Sequence, residues 1–458
     1  MSVDLNFLGI SFLLLSLVLF FYGISGTERC IKSFIIAIAV NCFPLIVLRY
    51  YGNESARLGG IPIGYFPLLA ALGAAIFSAR LRFTRKDLGV VAASIVLLAY
   101  LFVQSSLLVG DFDSFILYFS MLGFYLLAML ALSTLLQSLS ISQVFKLIEL
   151  FVAVIAFSIL MGLLRYFLNF EPRTFFHDAN FLPLFNRNST ALLLIASFPL
   201  IGMLRDMKKI SFARAGIYVS VYVVGSVFLQ SRLGLTGLVL VGLCYVLVKH
   251  RFRFRTLLLG TFFLGFFYLI LINPLSSRVA TRMDDVFAIA GKLYETEGAL
   301  NPYDSEYKRI RNLSAGVGVV QENFWFGTGM GLTNYLRELE RLYPRMREDD
   351  VLRSHNLYVS YSGEFGFIGL LLLLFFFFRL WRTFNFYQKK RMKLIEPRNA
   401  FNVMLFMIFV SFFFHEFFNS PLLWFFLGTG LGITAHHEIV FPRKIMVSPR
   451  FQRLRKFL

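Results

Sequence analysis

Residues 353–378 read RSHNLYVSYSGEFGFIGLLLLLFFFF. From Phe365 onward no side chain in this stretch is polar, and the run is long enough to enter a bilayer as a helix. Yet it opens with Arg353, His355 and Asn356, and it carries Glu364 nine residues after the histidine. An ionisable group there is costly unless it is paired or faces a wet cavity. The stretch therefore reads both as a span and as the mouth of a site.

The rest of the chain has the same greasy character. Of 458 residues, 57% are hydrophobic and 16% charged. Aliphatic and Phe-rich runs of about 17–25 residues recur along nearly the whole length, each able to cross about 30 Å of hydrocarbon. They are apolar all round and show no alternation at strand period. This excludes a soluble two-faced domain and a membrane β-barrel and gives an all-α integral membrane fold. Spans are expected near 7–24, 33–48, 62–78, 89–109, 115–136, 147–168, 189–204, 216–230, 234–248, 256–273, 356–378, 400–417 and 422–438. That is about 12–13 transmembrane helices.

The formal net charge is +19. In a soluble protein it would suggest nucleic acid; here it reports basic loops that obey the positive-inside rule, and no nucleic-acid partner is expected. RLRFTRKD (80–87), RDMKKISFARA (205–215), KHRFRFR (249–255), the stretch 379–399 and the tail from 442 fall on one side if the spans alternate. Roughly 28 of the 45 Lys and Arg lie on that side, which is then cytoplasmic, with the N-terminus outside and the C-terminus inside. Membrane lipids and anionic lipid substrates are further partners for this charge. The start MSVDLN lacks a positive n-region, so the first span is expected to be retained. Cys30, Cys42 and Cys244 show no pairing or metal spacing and read as small core residues.

The opposite side holds short connectors and one long loop, 274–355, too long for a mere connection. It shows helical patterning near 306–322 and 333–342 and a Gly-rich turn, GTGMG (327–331). The turn lacks the Lys-Ser/Thr of a phosphate-binding loop and reads as a chain reversal that leads the loop back over the membrane. No tandem repeat is visible, so 1–458 reads as a single polytopic domain with this loop as an inserted cap.

Several residues on that side can carry chemistry. Ser231 and Arg232, in QSRLGLTG (230–237), sit between two apolar runs. The plain reading is an arginine snorkelling to headgroups; the functional one is a guanidinium that grips a phosphate bidentately. Arg309 and Arg311 precede the amphipathic segment of the loop, either as a solvated helix face or as a second cation for the same anion. His355 is a polar cap or a general base for a hydroxyl. Glu364 is one half of an ion pair with an arginine or a support for the site. Gly363, Gly366 and Gly369 recur every three residues, which lets a neighbouring helix come close. Arg187 and Asn188 lie at the outer face with Arg173, His177 and Asp178; His415 and Glu416 lie near another outer end. His177–Asp178 and Asp284–Asp285 are too sparse for a metal site, and none is expected.

Taken together these pieces resemble the O-antigen ligase and polymerase superfamily. The pieces are Ser231-Arg232-Leu233-Gly234; Arg309 with Phe326-Gly327-Thr328-Gly329; and Ser354-His355-Asn356-Leu357-Tyr358 with Glu364-Phe365-Gly366-Phe367-Ile368-Gly369. NRNSTA (186–191) resembles the family's Asn-rich entry to an earlier span. The likeness covers about residues 170–420, the catalytic region it implies. Around Arg309 the chain departs from the family: Arg311 stands two residues on, Leu313 replaces an aromatic and Phe324 a proline.

The resemblance implies a glycosyltransferase-C-like membrane enzyme, with one large periplasmic loop that lids the site, in the bacterial inner membrane, with its site on the periplasmic face. The donor is a glycan on undecaprenyl diphosphate. The acceptor is lipid A–core for a ligase, or another lipid-linked glycan for a polymerase. Arg232 with Arg309 or Arg311 would bind the diphosphate, and His355 would activate the acceptor hydroxyl. Ser231, Asn356, Glu364, Arg187 and Asn188 would support them. Transfer would be inverting, without metal or cofactor. The rival class is a lipid or polysaccharide transporter, which would show inverted repeats and broken helices at midplane. No such symmetry is visible, and the polar residues cluster at one face.

Overall fold

The computed structural model describes residues 7–42, 57–58, 61–62, 66–79, 87–108, 111–167, 187–228, 232–250, 305–344, 354, 356–386, 396–413 and 420–436. Among the described residues the chain is helical apart from turns and one two-residue strand pair, Arg57–Leu58 with Ile61–Pro62. The helices are α1 (Phe7–Ile24), α2 (Thr27–Cys42), α3 (Phe66–Ser78), α4 (Asp87–Leu108), α5 (Phe112–Ser138), α6 (Ile141–Phe167), α7 (Arg187–Asp206), α8 (Phe212–Phe228) and α9 (Arg232–His250). They continue as α10 (Ser305–Glu322), α11 (Leu332–Leu342), α12 (Leu357–Phe386), α13 (Glu396–Ser411) and α14 (Pro421–Thr434).

Leu88–Leu108, Phe115–Ser138, Ile141–Leu163 and Leu357–Asn385 are long and apolar enough to cross a bilayer, and five shorter apolar helices accompany them. The molecule is a multi-pass all-α membrane protein. Each expected span outside 256–273 is met by a helix; 256–273 lies outside the described residues. One span is displaced. The second was expected over 33–48, and α2 begins at Thr27. Its charged first turns read as a loop, but Glu28 and Lys32 pair at 2.7 Å one turn apart, and Gln143 of α6 donates to Glu28 at 3.1 Å.

Local signals set several helix starts. Before α6, the Ser140 amide donates to the Gln143 side chain at 3.0 Å and the Gln143 amide to Ser140 Oγ at 3.3 Å, a reciprocal cap. Ser211 caps α8 through the Arg214 amide at 3.2 Å.

The centre of the bundle is α14 against α5. Trp424 is fully buried and stacks on Tyr125 with ring centroids 6.1 Å apart, while Phe425 stacks on Phe34 at 4.0 Å. Gly428 and Gly432, four residues apart, let α14 lie directly on the α5 backbone. A Cβ on Gly428 would stand 2.8 Å from the Met129 carbonyl oxygen, and one on Gly432 3.0 Å from that of Ser133. Gly428→Ala is expected to cost about 1–3 kcal/mol of stability, because backbone must move to admit the methyl. Thermal unfolding in detergent checks this against Gly123→Ala, whose Cβ would meet nothing within 4 Å.

Candidate active site

The ends of the helices sort themselves through a few contacts. Tyr245, late in α9, donates to Asp206 at the end of α7 at 2.9 Å, and Glu396, which opens α13, is their electrostatic neighbour. The starts of α7 and α9 therefore lie at the other end of the bundle, with the end of α13. There the Leu357 amide donates to the Phe412 carbonyl at 2.9 Å and the Asn356 amide group to the Phe413 carbonyl at 3.4 Å. This end gathers Arg187 and Asn188 at the start of α7, Arg232 at the start of α9, and Ser354 and Asn356 at the mouth of α12.

Asn356 caps α12: its Oδ1 accepts the Val359 amide at 3.2 Å. Ser354 is buried, with its Oγ 2.8 Å from Ser360 Oγ and 3.0 Å from the Asn356 carbonyl oxygen it donates to. The two neighbours of His355 are thus fixed on the first turn of the span. His355, Ser231, Arg173, His177, Asp178, Asp284, Asp285, His415 and Glu416 lie outside the described residues.

α10 runs beside α12 in the same direction, and α11 runs back against it. A Cβ on Gly316 of α10 would lie 3.2 Å from Ser354 and 2.9 Å from Val359. One on Gly363 would lie 3.5 Å from Val319 and 2.6 Å from the Tyr335 ring. Further along, the Phe367 amide donates to the Phe324 carbonyl at 2.7 Å. Ala315, Val319, Tyr335 and Leu339 close a small core between α10 and α11. Asn323 and Arg341 both bond Glu338, at 3.0 Å and at 2.8 and 2.7 Å, and the arginine holds that carboxyl below its usual range.

α12 is not one continuous helix. Gly366 has φ 68° and ψ −177°, which breaks the ladder inside an otherwise apolar run. The peptide groups freed there are taken up by the turn between α10 and α11. The Thr328 and Gly329 amides donate to the Gly363 and Glu364 carbonyls, both at 2.9 Å, and the Ile368 amide donates to Trp325 at 3.4 Å. α4 completes the set. Tyr100 donates to the Phe365 carbonyl at 2.7 Å, and Gln104 Nε2 to those of Phe326 at 2.6 Å and Glu364 at 3.0 Å. Ser105 Oγ accepts the Met330 amide at 2.9 Å and donates to Gln104 Oε1 at 2.9 Å. Broken backbone inside a membrane protein survives only when its polar groups are satisfied in this way.

The arrangement extends two expectations. The GTGMG turn reverses the chain, as expected, and it also docks into the broken span, with Gly327, Gly329 and Gly331 at φ 71°, 95° and 123°. The glycine series on α12 admits neighbouring helices, as expected, at Gly363 and Gly369, and the turn at Gly366. Gly366 faces the Trp325 carbonyl, Gly363 the Tyr335 ring, and Gly369 alone meets a flanking span, through Tyr100. Glu364, 5% exposed, accepts the Gly331 amide at 3.1 Å and so fastens the far end of the turn. Tyr100, Gln104 and Ser105 went unnoticed in the sequence. Their signal was there: a Gln-Ser-Ser set (104–106) inside an apolar span is costly without partners.

Residues 217–374 match a family model described as O-antigen ligase. Over this stretch the chain is similar to the O-antigen ligase family. The match runs from α8 into the second half of α12, about a third of the chain. It takes in Arg232, Arg309, Arg311, His355, Asn356, Glu364 and the docked turn. Arg187, Asn188 and the α4 residues that hold the turn lie outside it. No curated protein matches the chain.

Proposed function

We propose that the protein moves a glycan from undecaprenyl diphosphate to an acceptor hydroxyl, lipid A–core in the ligase reading, on the periplasmic face of the bacterial inner membrane. The observation that carries this is the family match over 217–374, which spans every residue the chemistry needs. His355 takes the proton from the acceptor hydroxyl as it attacks the sugar carbon, and the bond from that carbon to the diphosphate breaks. The lipid diphosphate leaves with its charge. Arg232 and a cap arginine stabilise that charge, which matters most where water is excluded. Ser354 and Asn356, on either side of the histidine in sequence, are held by hydrogen bonds at the mouth of α12. Arg187 and Asn188 begin α7 at the same end of the bundle, and Glu364 holds the cap in place.

Helix geometry favours Arg309 over Arg311 as the cap arginine. Arg309 is seven residues before Gly316, hence about two turns away on the same face of α10, the face that meets Ser354. Arg311 is five residues before Gly316 and half-buried on another side.

The test is a deletion complemented with wild type or Arg232→Ala, with surface polysaccharide resolved by size. A ligase leaves long chains on the lipid carrier and none on lipid A–core when deleted, and Arg232→Ala does not restore them. Single repeat units on the core would make it a polymerase instead. Wild-type polysaccharide from Arg232→Ala at normal protein level would sink the diphosphate assignment and raise the transporter reading.

A further inference from the structure

We infer that the turn between α10 and α11 is a re-entrant lipid anchor. Phe324, Trp325 and Phe326 sit among acyl chains of the leaflet on the His355 side, just below the headgroups. The inference goes beyond the transferase reading and stands without it.

Three observations carry it. The first is depth. Gly89 near the start of α4 lies against the Arg379 guanidinium of α12, which marks the basic end of both spans. Gln104, which holds the turn, is fifteen residues further along α4, about 22 Å at helical rise and inside the ~30 Å of hydrocarbon. It is also four residues, about 6 Å, short of the end of α4. The second is exposure. Phe324, Trp325 and Phe326 are 42%, 59% and 56% exposed, three consecutive large apolar side chains. They continue the outward face of α4, where Phe102, Val103 and Leu107 are also exposed. Phe324 stacks on Phe367 at 5.2 Å and Trp325 meets the same ring edge-on at 6.2 Å, so the patch is held to the span. The third is polar satisfaction. The turn's amides and carbonyls bond α12 and α4 as described, which is the condition for non-helical backbone at this depth. Tryptophan, with an apolar body and an N–H, favours the headgroup–acyl boundary, and the flanking phenylalanines favour the acyl chains.

The experiment is tryptophan fluorescence of the full chain in phosphatidylcholine/phosphatidylglycerol vesicles. The Trp325 signal is the difference between wild type and Trp325→Phe, which keeps a ring at that position; Trp381 and Trp424 cancel. The difference emission is expected to be blue-shifted, strongly quenched by lipid brominated on the upper acyl carbons, and untouched by aqueous iodide. Quenching by iodide but not by brominated lipid would place the turn in water and overturn the inference. Quenching by neither would mean that protein covers the patch, a second copy included, and would overturn it too.

Discussion

Gly366→Ala is expected to lower stability by at least about 3 kcal/mol and to abolish function with it. The backbone there has φ 68° and ψ −177°. That region is essentially reserved for glycine, and a side chain in it costs about 1–3 kcal/mol before any contact is counted. The new Cβ would also fall on the Trp325 carbonyl and the Phe326 amide, which are backbone and cannot swing away. The turn would have to lift, and each buried hydrogen bond left unmade costs about 1–3 kcal/mol. Relaxing the break into regular helix is no escape, since Phe324, Trp325, Thr328 and Gly329 would then lose their partners on α12. The check is thermal unfolding and detergent-solubilised yield beside Gly123→Ala, which touches nothing. Equal unfolding temperatures for the two variants would show that the break is not required.

The second large effect concerns chemistry without loss of fold. His355→Ala is expected to lower the transfer rate by about 100-fold to 10,000-fold, the span typical of a lost general base. Stability should barely move, because the bonds that hold the mouth of α12 are made by Ser354, Asn356 and Leu357. The readout is transfer by purified protein from a lipid-linked donor, with kcat and KM measured separately. His355→Ala should depress kcat and leave donor KM near wild type, while Arg232→Ala should raise donor KM as well. A His355→Ala enzyme with wild-type kcat would remove the histidine from the mechanism.

The helices were legible because runs apolar on every side have few other ways to satisfy their backbone. α10 and α11 came within a residue of their expected limits for a related reason: apolar positions at helical spacing face the small core of Val319, Tyr335 and Leu339. The break at Gly366 was not legible. A glycine in FGFIG looks the same in a straight span as in a broken one, and what opens the helix here is a turn some forty residues earlier in the chain. Glu364 was singled out because a carboxylate in a span needs a reason. One partner, a backbone amide at Gly331, has no side-chain signature and cannot be read from the sequence.

The docked turn also bears on protein engineering. Loops outside a membrane are often treated as portable, to be exchanged between relatives while the spans stay put. Here the cap, the broken stretch of α12 around Gly366 and the Tyr100-Gln104-Ser105 edge of α4 share one continuous set of hydrogen bonds. A chimera that takes residues 305–344 alone would deliver a turn with no matching seat and leave a span with unpaired peptide groups. The exchangeable unit is therefore discontinuous: cap, broken helix and the outer end of α4 must travel together.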